Sequence, residues 1–190
     1  MGPASKDRFI RCEGFYLRGV QEQDLSGRWF QWFNDPETTR FQNKGYVPNT
    51  LQAQRAYFER VQNSREDIVL AIIDDASDRH VGNVGLHAID WIHRSAVLGI
   101  VIGEREFLGR GWGRQAWAAI TRYAFETINL HKVCASVFEG NGPSMKCALA
   151  SGYEVEGTQK KQVYKNGDYR DLVWLGITRD RWARLNEGKA

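Results

Sequence analysis

The chain has 190 residues, 42% hydrophobic and 26% charged, with a formal net charge of +3; that suits one domain around one core and argues against a surface built to bind nucleic acid. Its three cysteines are widely spaced and form no CxxC metal pattern, so neither a disulfide framework nor a metal site is expected. No apolar run approaches the ~20 residues of a membrane span and no hydrophobic signal core opens the chain, so the expected compartment is the cytoplasm.

Met1-Gly2-Pro3 opens like a myristoylation start, but Lys6 stands where that motif has Ser or Thr. Residues 9–19 predict a first strand. Glu22 to Phe33 predict a helix, ended by the turn signal Asn34-Asp35-Pro36. Trp29, Phe30, Trp32 and Phe33 make this segment densely aromatic, which suits core packing or the floor of a pocket. Thr50 is the expected N-cap of a helix running to about Asn63, with Leu51, Ala53, Tyr57, Phe58 and Val61 at rough helical spacing. Ile68 to Ile73 is a β-branched run, Asp74-Asp75-Ala76-Ser77-Asp78 a turn, and His80 to Ile89 the hairpin partner. Ala96 to Ile102 is a further strand.

After that strand comes Gly109-Arg110-Gly111-Trp112-Gly113-Arg114. The glycines permit backbone dihedrals closed to other residues and a close approach to a ligand. A helix follows, with Trp117, Ile120, Ala124 and Ile128 at helical spacing. Its first N–H groups and the positive end of its dipole complete a cradle for a phosphate or pyrophosphate. Lys132 to Phe138 reads as a strand. Ser144 to Ala150 reads as a short helix, with Ser144 a candidate N-cap and Gly152 at its C′ position. Val155 to Tyr164 and Tyr169 to Ile177 read as a hairpin joined by Asn166-Gly167. With no repeat, linker or low-complexity segment, the order describes one mixed α/β domain, its core about 9–178.

Three ligands compete for the glycine turn. A nucleoside triphosphate needs GxxxxGK followed by Ser or Thr, and neither the lysine nor the hydroxyl is present. A dinucleotide fits the GxGxxA spacing of Gly111 to Ala116, with Glu139 near the end of the next strand. The turn would then have to follow its strand directly, whereas five residues separate Gly103 from Gly109. Coenzyme A pyrophosphate is the third.

For the third the chain resembles the GNAT acyltransferase superfamily, in the branch that acetylates ribosomal-protein N-termini, amino sugars and polyamines. Gly111 and Gly113 fill the glycines of the family signature [QR]xxGxG[AG], while Leu108 departs from its first position. Leu130-His131-Lys132-Val133, Asn141-Gly142-Pro143-Ser144, Ser151-Gly152-Tyr153, Tyr169-Arg170-Asp171 and Trp32-Phe33-Asn34-Asp35-Pro36 resemble further segments of that branch, in the same order. The resemblance implies a single-domain GNAT fold: a mixed sheet of about seven strands, about four helices, and a splayed pair at the family's fourth and fifth strands.

It further implies acetyl-CoA as donor. Main-chain groups of Ile100, Val101 and Ile102 would pair with the pantetheine arm, Gly109, Arg110, Gly111, Trp112, Gly113 and Arg114 would wrap the pyrophosphate, and Asn141 would hydrogen-bond the pantetheine. Ser144 caps its helix or faces the thioester sulfur. The chemistry implied is attack of a neutral primary amine on the thioester, with a main-chain N–H holding the oxyanion. Approximation of the two reactants supplies much of the rate, and a base takes the amine proton.

The catalytic positions depart from the family pattern. Where many relatives carry a general-acid tyrosine this chain has Ala148, and where they carry a basic glutamate it has Val97. Ser144 or water, then Cys147, remain as acids; His93, in a turn with Asp90, and His87 remain as bases, an imidazole titrating near neutrality. Trp32, Phe33, Asn34 and His87 are the expected acceptor-side residues.

A polyamine acceptor asks for carboxylates, for which Glu13, Glu22, Asp24, Asp35 and Glu37 are available. A nucleotide sugar asks for aromatic stacking and cations, for which Trp29, Trp32, Phe33, Tyr46, Arg40 and Lys44 are available. A small amine is the expected substrate. The alternatives are a ribosomal-protein N-terminus or a non-catalytic acyl-CoA sensor. The C-terminal hairpin and the aromatic side chains allow a homodimer.

Overall fold

The computed structural model describes residues 7–188, so the Met1-Gly2-Pro3 start and Lys6 lie outside the described residues. Its strands are β1 (Ile10–Arg11), β2 (Phe15–Gly19), β3 (Ile68–Asp74), β4 (His80–Asp90), β5 (Ser95–Ile102), β6 (Lys132–Phe138), β7 (Glu154–Lys165) and β8 (Asp168–Thr178). Its helices are α1 (Trp29–Trp32), α2 (Pro36–Thr39), α3 (Leu51–Asn63), α4 (Trp112–Glu126), α5 (Gly142–Ala150) and α6 (Arg179–Asn186).

Two-sided burial explains the β-branched run of β3. Leu70 and Ile72 enter one core, while Val69, Ala71 and Ile73 enter another on the opposite face, as the period of two requires. The first core is closed by α4, through Ala116, Trp117, Ile120 and Ala124. The second is closed by Trp29 and Trp32 of α1 and Val61 of α3. The sheet has the order β1-β2-β3-β4-β5-β6-β8-β7. Its pairs are antiparallel except β5 with β6.

That parallel pair holds only at Ser95–Lys132, Ala96–Val133 and Val97–Cys134. Beyond Val97, β5 stays paired with β4 as far as Ile102 and β6 with β8 as far as Phe138. The two strands therefore splay as expected, and β5 from Leu98 onward has an open edge.

Several boundaries differ from the sequence expectation, each for a local reason. The expected first strand divides because Gly14, at φ +80°, reverses the chain, and β1 folds back on β2; the sheet thus has eight strands rather than seven, and the family's fourth strand is β5. The expected helix Glu22–Phe33 is a 3-10 turn (Glu22–Ser26) followed by α1. There the extended backbone of Gly27 interrupts it, and Asp24 spends its carboxylate on Arg18 and the Gln21 N–H. Asp35-Pro36 does more than stop a helix: Pro36 opens α2 and the Asp35 carboxylate caps it by accepting from the Glu37 N–H at 3.1 Å. Asn141 rather than Ser144 caps α5. Thr50 caps α3 as expected, and Thr178 starts α6, which was not expected.

Trp32 is 1% exposed, its indole N–H donates to buried Glu104 at 2.8 Å, and its ring lies against the backbone of Gly103, where a Cβ would collide. Trp32→Ala is expected to cost about 3–5 kcal/mol, read as a lower urea midpoint with an unchanged slope.

Candidate active site at the splayed strands

A cleft of about 1000 Å³ opens where β5 and β6 part. The Ile100–Ile102 edge forms one wall, the glycine turn a second, and Asn141–Ser144 after β6 a third. Gly109 and Gly111 have φ of +75° and +79°, so the turn depends on glycine. A Cβ added at Gly109, Gly111 or Gly113 would meet nothing within 4 Å; the missing side chains keep the cleft open. Gly111 caps α4 with no side-chain partner, leaving the first N–H groups of that helix to the cleft.

Trp112 anchors the turn from below, packed between Phe15 and Phe107 at 5.0 Å from each ring. Arg114 and Lys146 add positive charge to the lining. Arg105 is held by Asp35 at 2.9 Å, and this contact pulls the Asp35 carboxyl below the usual carboxylate range. Arg110, expected in the cradle, turns away. It stacks on Phe107 at 4.4 Å and donates to the Glu106 carbonyl, and it is absent from the cleft wall.

The carbonyl of Asn141 Oδ1 is used in capping, accepting from the Ser144 N–H at 3.2 Å; its Nδ2 donors remain. Ser144 and Cys147 both line the cleft. Burial, working against the nearby Arg114 charge, raises the Cys147 pKa and keeps it a protonated thiol. Ala148 is fully buried, so no titratable group replaces a tyrosine there.

On the other side of β5 lies a second cavity of about 270 Å³. Gln42, Ile100 and Val101 belong to both linings, so the two spaces adjoin across this stretch of β5. Gln42 Nε2 donates to the Ile100 carbonyl at 3.1 Å. Trp29, Phe33 and Tyr57 supply aromatic wall, with Lys44, Arg60 and His87 as its basic side chains.

His87 is fixed from two directions. Its Nδ1 donates to Asp67 Oδ1 at 2.7 Å. A neutral imidazole donating at Nδ1 has Nε2 free to accept a proton. The ring also lies over the paired glycines Gly85 and Gly99, where an added Cβ would stand 3.2 and 3.3 Å from Nε2. A register shift follows immediately at Ala88, φ +47°, of the kind that re-aims strand side chains beside sites. Asp67 also accepts from Arg60 at 2.5 Å and Ser64 at 3.0 Å. Burial opposes ionisation of Asp67, but these donors outweigh it and hold the carboxyl below its ordinary range.

Of the expected acceptor-side residues, Phe33 and His87 meet here. Trp32 is in the core, and Asn34 spends both ends of its amide on the Asn49 backbone, which ties the 34–49 loop. His93 stands exposed in a turn that Asp90 caps and lines neither cavity. The acidic candidates are also elsewhere: Asp24 pairs with Arg18, Asp35 with Arg105, Glu22 with Arg55, Glu37 lines the larger cleft, and Glu13 lines neither space. Gln42, Arg60 and Asp67 were not expected. Only Gly85 and Gly99, lone glycines inside strand patterns, signalled a close approach.

Comparison with known proteins agrees with this architecture. The family model described as "Acetyltransferase (GNAT) domain" matches residues 15–154. A Bacillus subtilis protein provisionally named as a ribosomal N-acetyltransferase, YdaF, is 26% identical over 163 residues, covering 86% of this chain and 83% of that one. The spermidine N(1)-acetyltransferase of Vibrio cholerae is 29% identical over 116 residues, 61% of this chain and 66% of that one. A crystal structure of spermidine N-acetyltransferase from Vibrio cholerae with CoA and spermine superposes with a TM-score of 0.82, over 90% of this chain and 99% of that one, at 23% identity. No helix among the described residues is long and apolar enough to cross a membrane.

Proposed function

The chain belongs to the GNAT acetyltransferases and is an acetyl-CoA-dependent N-acetyltransferase, and from that premise we propose that its acceptor is the primary amine of a small molecule. The single observation that carries this reading is the junction of the two cavities at Gln42, Ile100 and Val101: donor and acceptor can meet there from opposite sides of one strand. A space of only about 270 Å³ favours a small amine over a folded protein, although the relatives' names include both spermidine and ribosomal acetyltransferases.

In this reading the glycine turn and the start of α4 hold the pyrophosphate of acetyl-CoA, which supplies a thioester carbonyl for attack. The open backbone cradle fits a dianion at a helix start, and the edge of β5 beyond Val97, which no strand pairs and where Gln42 engages the Ile100 carbonyl, fits an extended amide-bearing arm. Asn141 Nδ2 adds a hydrogen bond to that arm. His87 accepts the amine proton at Nε2, and Asp67 steadies the imidazolium that results. As the new C–N bond forms and the C–S bond breaks, Ser144 is the hydroxyl we assign to the departing sulfur. Joining the reactants across β5 supplies the rest.

Thiol release from acetyl-CoA, followed with a panel of polyamines, amino sugars and short peptides, tests the proposal. The expected result is amine-dependent release and an N-acetylated small amine by mass spectrometry. Preference for peptides would support the ribosomal-protein reading. Tight CoA binding with no release above solvent hydrolysis would support the sensor reading. For Ser144→Ala a reduced kcat with unchanged acetyl-CoA affinity is expected; full turnover would remove Ser144 from the scheme.

A further inference from the structure

The charge of the smaller cavity narrows the acceptor. Its wall contains Lys44, Arg60 and His87 but no Asp or Glu. Lys44 Nζ and the Arg60 guanidinium approach the same ring, 5.8 and 5.1 Å from the Tyr57 centroid. Arg60 is balanced by Asp67, which His87 also engages. Lys44 makes no ion pair among the described residues. The cavity therefore carries a surplus positive charge at the end defined by Tyr57, and the Asp67 carboxylate beside it is already committed.

This inference rests on the acetyl-transfer reading above and deepens it. We infer that the acceptor is a small primary amine whose far end bears an anionic group, carboxylate or phosphate, on a flat apolar body. Its anion would pair with Lys44 and with the guanidinium N–H groups that Arg60 does not give to Asp67, which engages Nη1. The body would lie among Trp29, Phe33 and Tyr57, whose rings offer apolar faces. The amine would then reach His87 and the β5 junction. A polycation meets the opposite conditions: no free carboxylate to receive a second ammonium, and Lys44 to repel it in a partly enclosed space where charges interact more strongly than in water.

The test uses the full chain and four amines: 4-(aminomethyl)benzoate, 4-(aminomethyl)phenyl phosphate, benzylamine and spermidine. An anionic amine is expected to exceed benzylamine in kcat/KM by roughly 10-fold or more, the value of one charge-assisted hydrogen bond, and spermidine to be the poorest. The two anions distinguish carboxylate from phosphate. Lys44→Glu alters an exposed side chain; it should erase the anionic advantage over benzylamine and improve spermidine relative to both anions. Spermidine turnover equal to or above that of both anions overturns the inference, as does an anionic preference that survives Lys44→Glu. Acetylation of benzylamine with no anion preference overturns this inference alone. No thiol release with any amine overturns the acetyl-transfer reading and this inference with it.

Discussion

His87→Gln is expected to lower kcat/KM for the amine by roughly 10²–10⁴-fold, the usual worth of a positioned general base, while the KM for acetyl-CoA stays within ~2-fold because the residue lies across β5 from the donor cleft. The physical ground is the pair of contacts that leave one nitrogen to act: Nδ1 is committed to Asp67 at 2.7 Å, and Nε2 stands over the Gly85–Gly99 pair. Glutamine keeps a polar side chain of similar reach but cannot take a proton. Asp67→Asn should lower the rate in the same direction but less, since it disturbs the tautomer without removing the base. An unchanged rate in His87→Gln would assign deprotonation to solvent.

The second large effect is expected at the glycine turn. Gly111→Val should weaken CoA binding by roughly 10²-fold or more, as calorimetry would record. Two costs combine. A β-branched residue at φ +79° is strained by about 1–3 kcal/mol, and its side chain would enter the space that a ligand must share with the N–H groups at the start of α4. Losing one or two charge-assisted hydrogen bonds of about 1.5–3 kcal/mol each gives the expected factor. Gly113→Ala separates the two costs. Gly113 has no positive φ and lies inside α4, so alanine there should stabilise the helix by ~0.5–1 kcal/mol. Any loss of CoA affinity in this variant is then due to the filled cleft alone. A well-folded Gly111→Val that binds CoA like the wild type would move the pyrophosphate away from this turn.

The glycine turn, the Asn141–Ser144 segment, the Thr50 cap and the Asn166-Gly167 hairpin were all legible from the order of residues, because each depends on dihedral preference or hydrogen bonding within a few positions. So were most residues of the larger cleft's wall, apart from Arg110, which turns onto Phe107. The lining of the smaller cavity was not. Trp32 and Phe33 are adjacent in the chain, yet one is sealed against Gly103 and Glu104 while the other lines the smaller cavity. Composition treats them alike; only the direction of α1 against the sheet separates them. His93 has the same chemistry as His87, but it sits in an exposed turn, whereas His87 meets Asp67 from another element. Gln42 reaches Ile100 across 58 positions of chain. Local preferences thus set the elements and the glycine turn, while side-chain meetings between distant segments, decided by packing of the whole sheet, set the lining of the smaller cavity, its charge and the contact between His87 and Asp67.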